Sequence, residues 1–557
     1  MTDHLTLMRA GQPVRQLASF HTRSGRCPSL TIDAGSAPHL PAGILSPYSD
    51  GERGAIIDGF ANHQRWENGA ETTASPLLPV TIRGEVPGRA MGGGSDFDNC
   101  SSRTHVGSQN LSEAVARAVT PLITLLLSIL FLILPAFTAR AMDIQSVTSP
   151  KGITAWLVED YSVPVVAIRF VFGGGSTQDP VGKEGLANLM TGLFDEGAGP
   201  LDSEDFQIKL DDAGAEMSFD ESRDGIYGSM RMLAEQRDQA FDLLRLAVNE
   251  PRFDQLPIDR IRSQILFGII AGENDPDTVA QNKWARALYG DHPYSRSDQG
   301  TRQSIATITP DDLKALHRAV FARGGLHVAV VGAIDAETLK KKLDMVFGDL
   351  PQTQALRPVA DIDPKLAQHV EVDYDLPQTS LQLAYPGVKR KAADFFPAVL
   401  MNEILGGGTF TSRLFQEVRE KRGLAYSVNS SLINQDHANA LIVSTGTRSD
   451  RAAETLGIVR DVVKQLAEQG PTEAELAATK KYMIGAYAIN NLDSSSAIAS
   501  TLVELQLDDL GIDYMQRRAG YINAVTLDQV KAAAKKLLTT EPTIMVIGPK
   551  LAGAGKG

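Results

Sequence analysis

The feature that most constrains this chain is an ending that occurs twice. Thr309-Pro-Asp-Asp-Leu-Lys-Ala is matched by Thr526-Leu-Asp-Gln-Val-Lys-Ala, and His327-Val-Ala-Val-Val-Gly332 by Thr543-Ile-Met-Val-Ile-Gly548, at offsets of 217 and 216 residues. A helix and the strand after it, kept in order at one offset, mark a duplicated domain of roughly 200 residues. The β-branched runs Ile153 to Leu157 and Val163 to Phe172 predict strands, and the segments Glu184 to Phe194 and Asp311 to Phe321 predict helices. The fold class that follows is α+β. Two homologous α/β sandwich-like halves, 142–350 and 369–557, are joined by a linker at 351–368 that carries Pro351, Pro358 and Pro364.

The start of the chain has a different character. Residues 1–110 are rich in Gly, Ser, Pro and Arg and show no sustained periodicity, and the first lysine of the chain is Lys151. They are expected to be disordered, or to lie upstream of the true start. Residues 111–141 read as a signal region: Arg117, the apolar run Pro121 to Pro135, and small residues at Ala139 and Ala141. The run is shorter than the roughly 20 residues that span a bilayer, so cleavage after Ala141 is expected rather than anchoring. The mature chain would then be periplasmic or secreted, meeting the membrane only through its export signal. Both cysteines, Cys27 and Cys100, lie upstream of Ala141, which leaves no thiolate metal site after it. The prefix to Ala141 has eleven Arg and eleven Asp plus Glu, so the whole formal charge of −13 rests on the remainder and argues against nucleic acid as a partner.

Several short stretches occur in a telling order: Gly182-Lys-Glu-Gly-Leu-Ala, then Phe194-Asp-Glu-Gly197, Asp291-His-Pro-Tyr294, Leu405-Gly-Gly-Gly408, and Arg419-Glu-Lys-Arg-Gly-Leu-Ala-Tyr426. With two α+β halves of this size, they resemble the insulinase and pitrilysin family of metallopeptidases. Active members carry His-x-x-Glu-His on the helix after the first stretch, two His binding zinc and the Glu taking a proton from metal-bound water. Aligned on Gly-Leu-Ala, those positions are here Asn188, Thr191 and Gly192. Glycine has no ligand atom, an amide is a poor zinc ligand, and Thr cannot serve as a general base near neutral pH. The third ligand of the family, a Glu on a later helix, should fall near Gly268, and Glu273 is out of register, read instead as a solvated charge at the helix end. His292, His317, His327, His369 and His437 form no close pair and are expected at surfaces or turns. No metal and no cofactor are therefore expected on this chain. Leu186, Leu189, Met190 and Leu193 fall at i, i+3, i+4 and i+7, so the helix can still pack.

The second half keeps what the first has lost. In the family an Arg and a Tyr seven residues apart reach across to the zinc site and help to stabilise the tetrahedral intermediate, and Arg419 and Tyr426 stand at that spacing. A peptide carbonyl turning into an oxyanion gains from a cationic fork and a phenolic donor. Gly406, Gly407 and Gly408 lack the Gly-Lys-Ser/Thr ending of a phosphate loop. By resemblance they match the glycine-rich, substrate-facing loop of the non-catalytic subunit of the mitochondrial processing peptidase, and a tight turn needing φ > 0 is the alternative. The resemblance thus implies the metal-free subunit of an exported two-subunit peptidase. Its partners would be a peptide and a homologous subunit that carries the zinc. The alternatives are a peptide-binding or assembly scaffold, similar to the homologous core proteins of respiratory complexes, and a hydrolase with an unrecognised site.

Overall fold

The computed structural model describes residues 142–550 except 409. The prefix and the signal region, expected at 1–110 and 111–141, lie outside the described residues. No described helix is long and apolar enough to cross a membrane.

Two mixed sheets carry the chain. The first has the order β1-β2-β6-β3-β5-β4, with β1 (Gln145–Thr148), β2 (Thr154–Glu159), β3 (Val165–Gly173), β4 (Glu216–Glu221), β5 (Gly225–Leu233) and β6 (Leu326–Gly332). The second has the order β7-β11-β8-β10-β9, with β7 (His369–Asp373), β8 (Gln378–Pro386), β9 (Ala425–Asn434), β10 (Asn439–Arg448) and β11 (Thr543–Gly548). In each sheet one pair is parallel, β2 with β6 and β7 with β11, and the others are antiparallel. Setting β1 aside, the second sheet repeats the first strand for strand.

The repeated ending shows why. Thr309 and Thr526 each close a capping box at the start of their helices, Pro310–Val320 and Leu527–Leu538, with the side chains of Asp312 and Gln529 bonding back. The strands that follow both end on a glycine in the left-handed range, Gly332 at φ 133 and Gly548 at φ 140. A Cβ on Gly332 would stand 2.2 Å from the Val165 carbonyl oxygen, and on Gly548 2.7 Å from Thr379 Oγ1. Glycine alone meets both demands.

The inner face of each sheet packs on helices of its own half. In the first half, Phe170 and Phe172 on β3 meet Phe347 and Phe321, and Phe219 on β4 stacks on Phe194 with centroids 4.2 Å apart. His317 joins this cluster, beside Phe194, Phe253 and Phe321 and bonded to the Val248 carbonyl at 2.9 Å. Burial pushes its imidazole down to about 4. This corrects the expectation of a surface histidine: on its amphipathic helix, His317 is one residue on from the core position Leu316 and turns toward the aromatic core.

The outer faces are covered by exchange. Among the helices, α1 is Leu186–Thr191, α2 Gln255–Gly272, α3 Pro276–Tyr289 and α4 Ser495–Leu507. From the second half, α4 lays Ala499, Leu502 and Val503 on Val158, Val171, Ala329 and Val331 of the first sheet. From the first half, α3 lays Ala280, Trp284 and Leu288 on Val372, Ala384, Ile442 and Met545 of the second. Each half therefore buries an apolar face that its own helices leave open. The linker is tied to both, with Ala355 N bonded to the Ala319 carbonyl and Ile362 N to the His437 carbonyl, at 2.9 and 2.8 Å.

Candidate functional site

Helix α1 is built by its cap. Asp179 accepts from the backbone N–H groups of Gly185, Leu186 and Ala187 at 2.8, 3.1 and 3.0 Å, and Gly185 takes φ 91 to start the helix. Leu186, Leu189, Met190 and Leu193 are buried, as their spacing requires. The helix ends at Thr191, short of the expected Phe194, because the chain tightens there into turns, with Leu193 N bonded to the Met190 carbonyl at 3.1 Å.

The opposite face holds the substituted motif. Asn188 Nδ2 donates to Glu221 Oε1 at 2.7 Å, and Thr191 Oγ1 lies 3.0 Å from Glu221 Oε2. Thr191 Oγ1 is also 2.9 Å from the Asn188 carbonyl. A Cβ on Gly192 would stand 3.1 Å from Ile261 Cγ2 on α2, whereas Gly268 of the same helix faces open space. Glu273 caps α2 and is exposed, its carboxylate engaged by Arg302. Among the described residues no group of three His, Cys, Asp or Glu side chains could hold a metal ion. An amide, a hydroxyl and two glycines do not make the donor set of a zinc peptidase.

Glu221 was not singled out by its sequence. Burial pushes its carboxyl up to about 7, the charge of Asp298 adds to this, and the Asn188 and Thr191 bonds oppose it. The signal was present in the alternation of β4, Glu216-Met-Ser-Phe-Asp-Glu221, which puts Glu221 in the inward row with Met217 and Phe219. An acid in an apolar row needs a partner.

Arg419 and Tyr426 are brought together. Arg419 lies in a π-helical segment, Phe415–Glu420, and the chain turns at Gly423, φ 59, to enter β9. The guanidinium carbon lies 4.6 Å from the Tyr426 ring centroid and 4.8 Å from that of Phe415. Tyr426 is 77% exposed, and Phe410, 50% exposed, meets Phe415 edge-on at 5.2 Å. The neighbouring cations are paired: Lys421 and Arg422 with Glu417 at 2.5 and 2.6 Å, and Arg413 with Glu475 at 2.7 Å, which holds that carboxyl down at about 2. Arg419 pairs with no carboxylate among the described residues.

Gly406, Gly407 and Gly408 are buried, the first two within a second π-helical segment, Glu403–Gly407, and none takes a positive φ. A Cβ on Gly406 would come within 2.6 Å of Ser430 N, and one on Gly408 within 2.9 Å of the Glu403 carbonyl oxygen. A left-handed turn is thus not what these glycines make; Gly406 lies close against β9, and Gly407 and Gly408 close against Asn402 and Glu403 at the start of their segment.

Comparison with known proteins places this geometry. Residues 155–302 match the family model described as insulinase (peptidase family M16), and residues 307–483 that described as the peptidase M16 inactive domain. A protein of Helicobacter pylori named non-peptidase homolog YmxG is 27% identical over 414 residues, covering 73% of this chain and 93% of that protein. An uncharacterized zinc protease of Mycobacterium bovis is 28% identical over 423 residues, covering 74% and 95%. The crystal structure of a peptidase M16 inactive domain from Pseudomonas fluorescens superposes with a TM-score of 0.68 at 30% identity, covering 74% of this chain and 98% of that one. The chain belongs to the M16, or insulinase, family of peptidases.

Proposed function

We propose that this chain is the non-catalytic subunit of an exported, heteromeric zinc metallopeptidase, and that it supplies Arg419 and Tyr426 to the active site of a zinc-bearing partner. The observation that carries this reading is a guanidinium held between Phe415 and the exposed Tyr426 without a carboxylate to neutralise it. Such a group is free to meet charge brought by another molecule, and beside a developing oxyanion it is worth a few kcal/mol of barrier. The first half supports the same reading from the other side, since Asn188, Thr191, Gly192 and Gly268 offer no zinc site. A relative named as a non-peptidase homolog agrees with a member that does not catalyse alone. The chain would enclose part of a peptide chamber, reach the periplasm by its signal, and hold no metal of its own.

The test begins with recovery of the native protein from its cells and identification of the homologue that travels with it, which should carry His-x-x-Glu-His. In that complex Arg419→Ala or Tyr426→Phe should lower peptide turnover by roughly ten- to a thousandfold while size-exclusion chromatography shows assembly intact. Full turnover in an intact complex carrying both substitutions would leave the scaffold reading in its place.

A further inference from the structure

The segment Asp291-His-Pro-Tyr294, which follows α3, touches three others at once. His292 Nδ1 accepts from the Tyr294 backbone N–H at 3.2 Å, which leaves Nε2 to donate to the linker carbonyl of Ala360 at 2.8 Å. Tyr294 is buried at the seam between the halves, in one apolar cluster with Leu288 and Tyr289 of α3 and with Ala438 and Ala440 of the second half. Its hydroxyl donates to Asp224 Oδ2, in the turn between β4 and β5, and accepts from the His437 backbone N–H, in the turn between β9 and β10, at 3.0 Å. Asp224 Oδ2 also accepts from the Asp436 N–H at 3.3 Å, and Oδ1 is buried with no partner among the described residues.

We propose that Tyr294 is the rivet of a joint between the halves: its hydroxyl ties the first half to the second at one point, and the seam opens only when that tie breaks. Apolar contacts alone would not fix the point. The faces that α3 and the second sheet press together are non-directional and can slip, whereas an N–H aimed at a hydroxyl accepts one position. Tyr294 and Asp224 belong to the first half and His437 to the second, so any parting of the halves here must break the His437 bond. The linker is drawn to the same point, with Ile362 N bonded to the His437 carbonyl at 2.8 Å and Asp361 Oδ1 3.2 Å from His437 Nδ1. The joint is independent of the role given to Arg419 and Tyr426.

Lys365 stands in the same seam and can report on it. Its N–H bonds to the Leu288 carbonyl at 2.9 Å, near the end of α3, and its carbonyl accepts from Thr543 Oγ1 at 2.8 Å, at the start of β11. A protease must draw out the chain on both sides of the bond it cuts, so cleavage after Lys365 requires the seam to part. Arg518 is buried inside the second half, and cleavage after it requires that half to unfold.

The measurement is native-state digestion of the full chain with trypsin, initial rates being read from the fragments by mass spectrometry. In the unsubstituted chain the cut after Lys365 should be faster than the cut after Arg518, because the seam parts while the halves stay folded. Tyr294→Phe keeps the ring and removes the hydroxyl. It should speed the cut after Lys365 roughly ten- to a hundredfold, as expected when a buried amide and a carboxylate lose a partner. Asp224→Ala should speed it too, and the two together should give less than the product of their separate effects, since the two groups share one bond. Equal rates at the two sites in the unsubstituted chain, an unchanged rate in Tyr294→Phe, or effects that multiply would each overturn the proposal.

Discussion

Helix α1 of the first half and the Arg419–Tyr426 corner of the second both stand where the family resemblance leads one to look for chemistry, and they have gone opposite ways. At α1 each polar side chain is turned inward: Asn188 and Thr191 both meet Glu221, and nothing in the motif positions faces a ligand with a free charge. At the corner the polar groups face outward, with the guanidinium resting on aromatic rings rather than on an acid. Polar groups satisfied inside a half add to its stability, whereas groups held ready on a surface contribute little to it. The difference separates polar groups bonded within the fold from polar groups left facing outward.

The boundary between the halves can be tested first, because it carries the largest expected effect. Leu502 comes from the second half and is fully buried on the outer face of the first sheet. Leu502→Ala should cost about 2–5 kcal/mol, measured by urea unfolding, and both halves should lose structure in one transition. Two separate transitions would mean that the exchange of helices is ornamental to folding. Next comes the inward site. Asn188→Ala removes a donor from Glu221 and should cost about 1–3 kcal/mol at pH 6 by the same measurement. A neutral result would show that Asn188 is idle and would blur the contrast with the corner. The smallest effect is expected outside: Arg419→Ala removes only a half-exposed contact with two rings and should change stability by less than about 1 kcal/mol. A larger loss would make Arg419 a structural residue and weaken the comparison from its other end.

Much of this architecture could be read from particular residues. The twin Thr-capped helices and the glycine-ended strands told of duplication because a capping box and a left-handed glycine are local demands, written in adjacent residues. The packed face of α1 was equally readable, since its apolar spacing is that of a helix. What escaped was long-range. That α3 and α4 would each cover the other half could not be seen in either helix, because an apolar stripe does not say which sheet it meets. Glu221 lies thirty-three positions from Asn188, and only the pleat of β4 brings it to the helix. His317 stands at the margin of the apolar face of its helix, and only the placing of Phe194, Phe253 and Phe321 around it shows that it is enclosed. The alternative of a left-handed turn at Gly406, Gly407 and Gly408 fails on their backbone, none of them taking a positive φ, and the close approach of Ser430 to Gly406 is not legible in the sequence.

The exchange of α3 and α4 has a mechanical consequence. A chain of two halves joined by a linker invites the picture of a clamshell that hinges at the linker. Here a swing of that kind would strip α3 from Val372, Ala384 and Met545 and, in the same stroke, α4 from Val171, Ala329 and Val331, wetting two apolar surfaces at once. The linker gives no slack either, being stitched to Ala319 on one side and His437 on the other. Opening at the linker would thus cost both contacts together rather than one. On the function proposed above, a door that admits a peptide would have its other leaf in the partner chain.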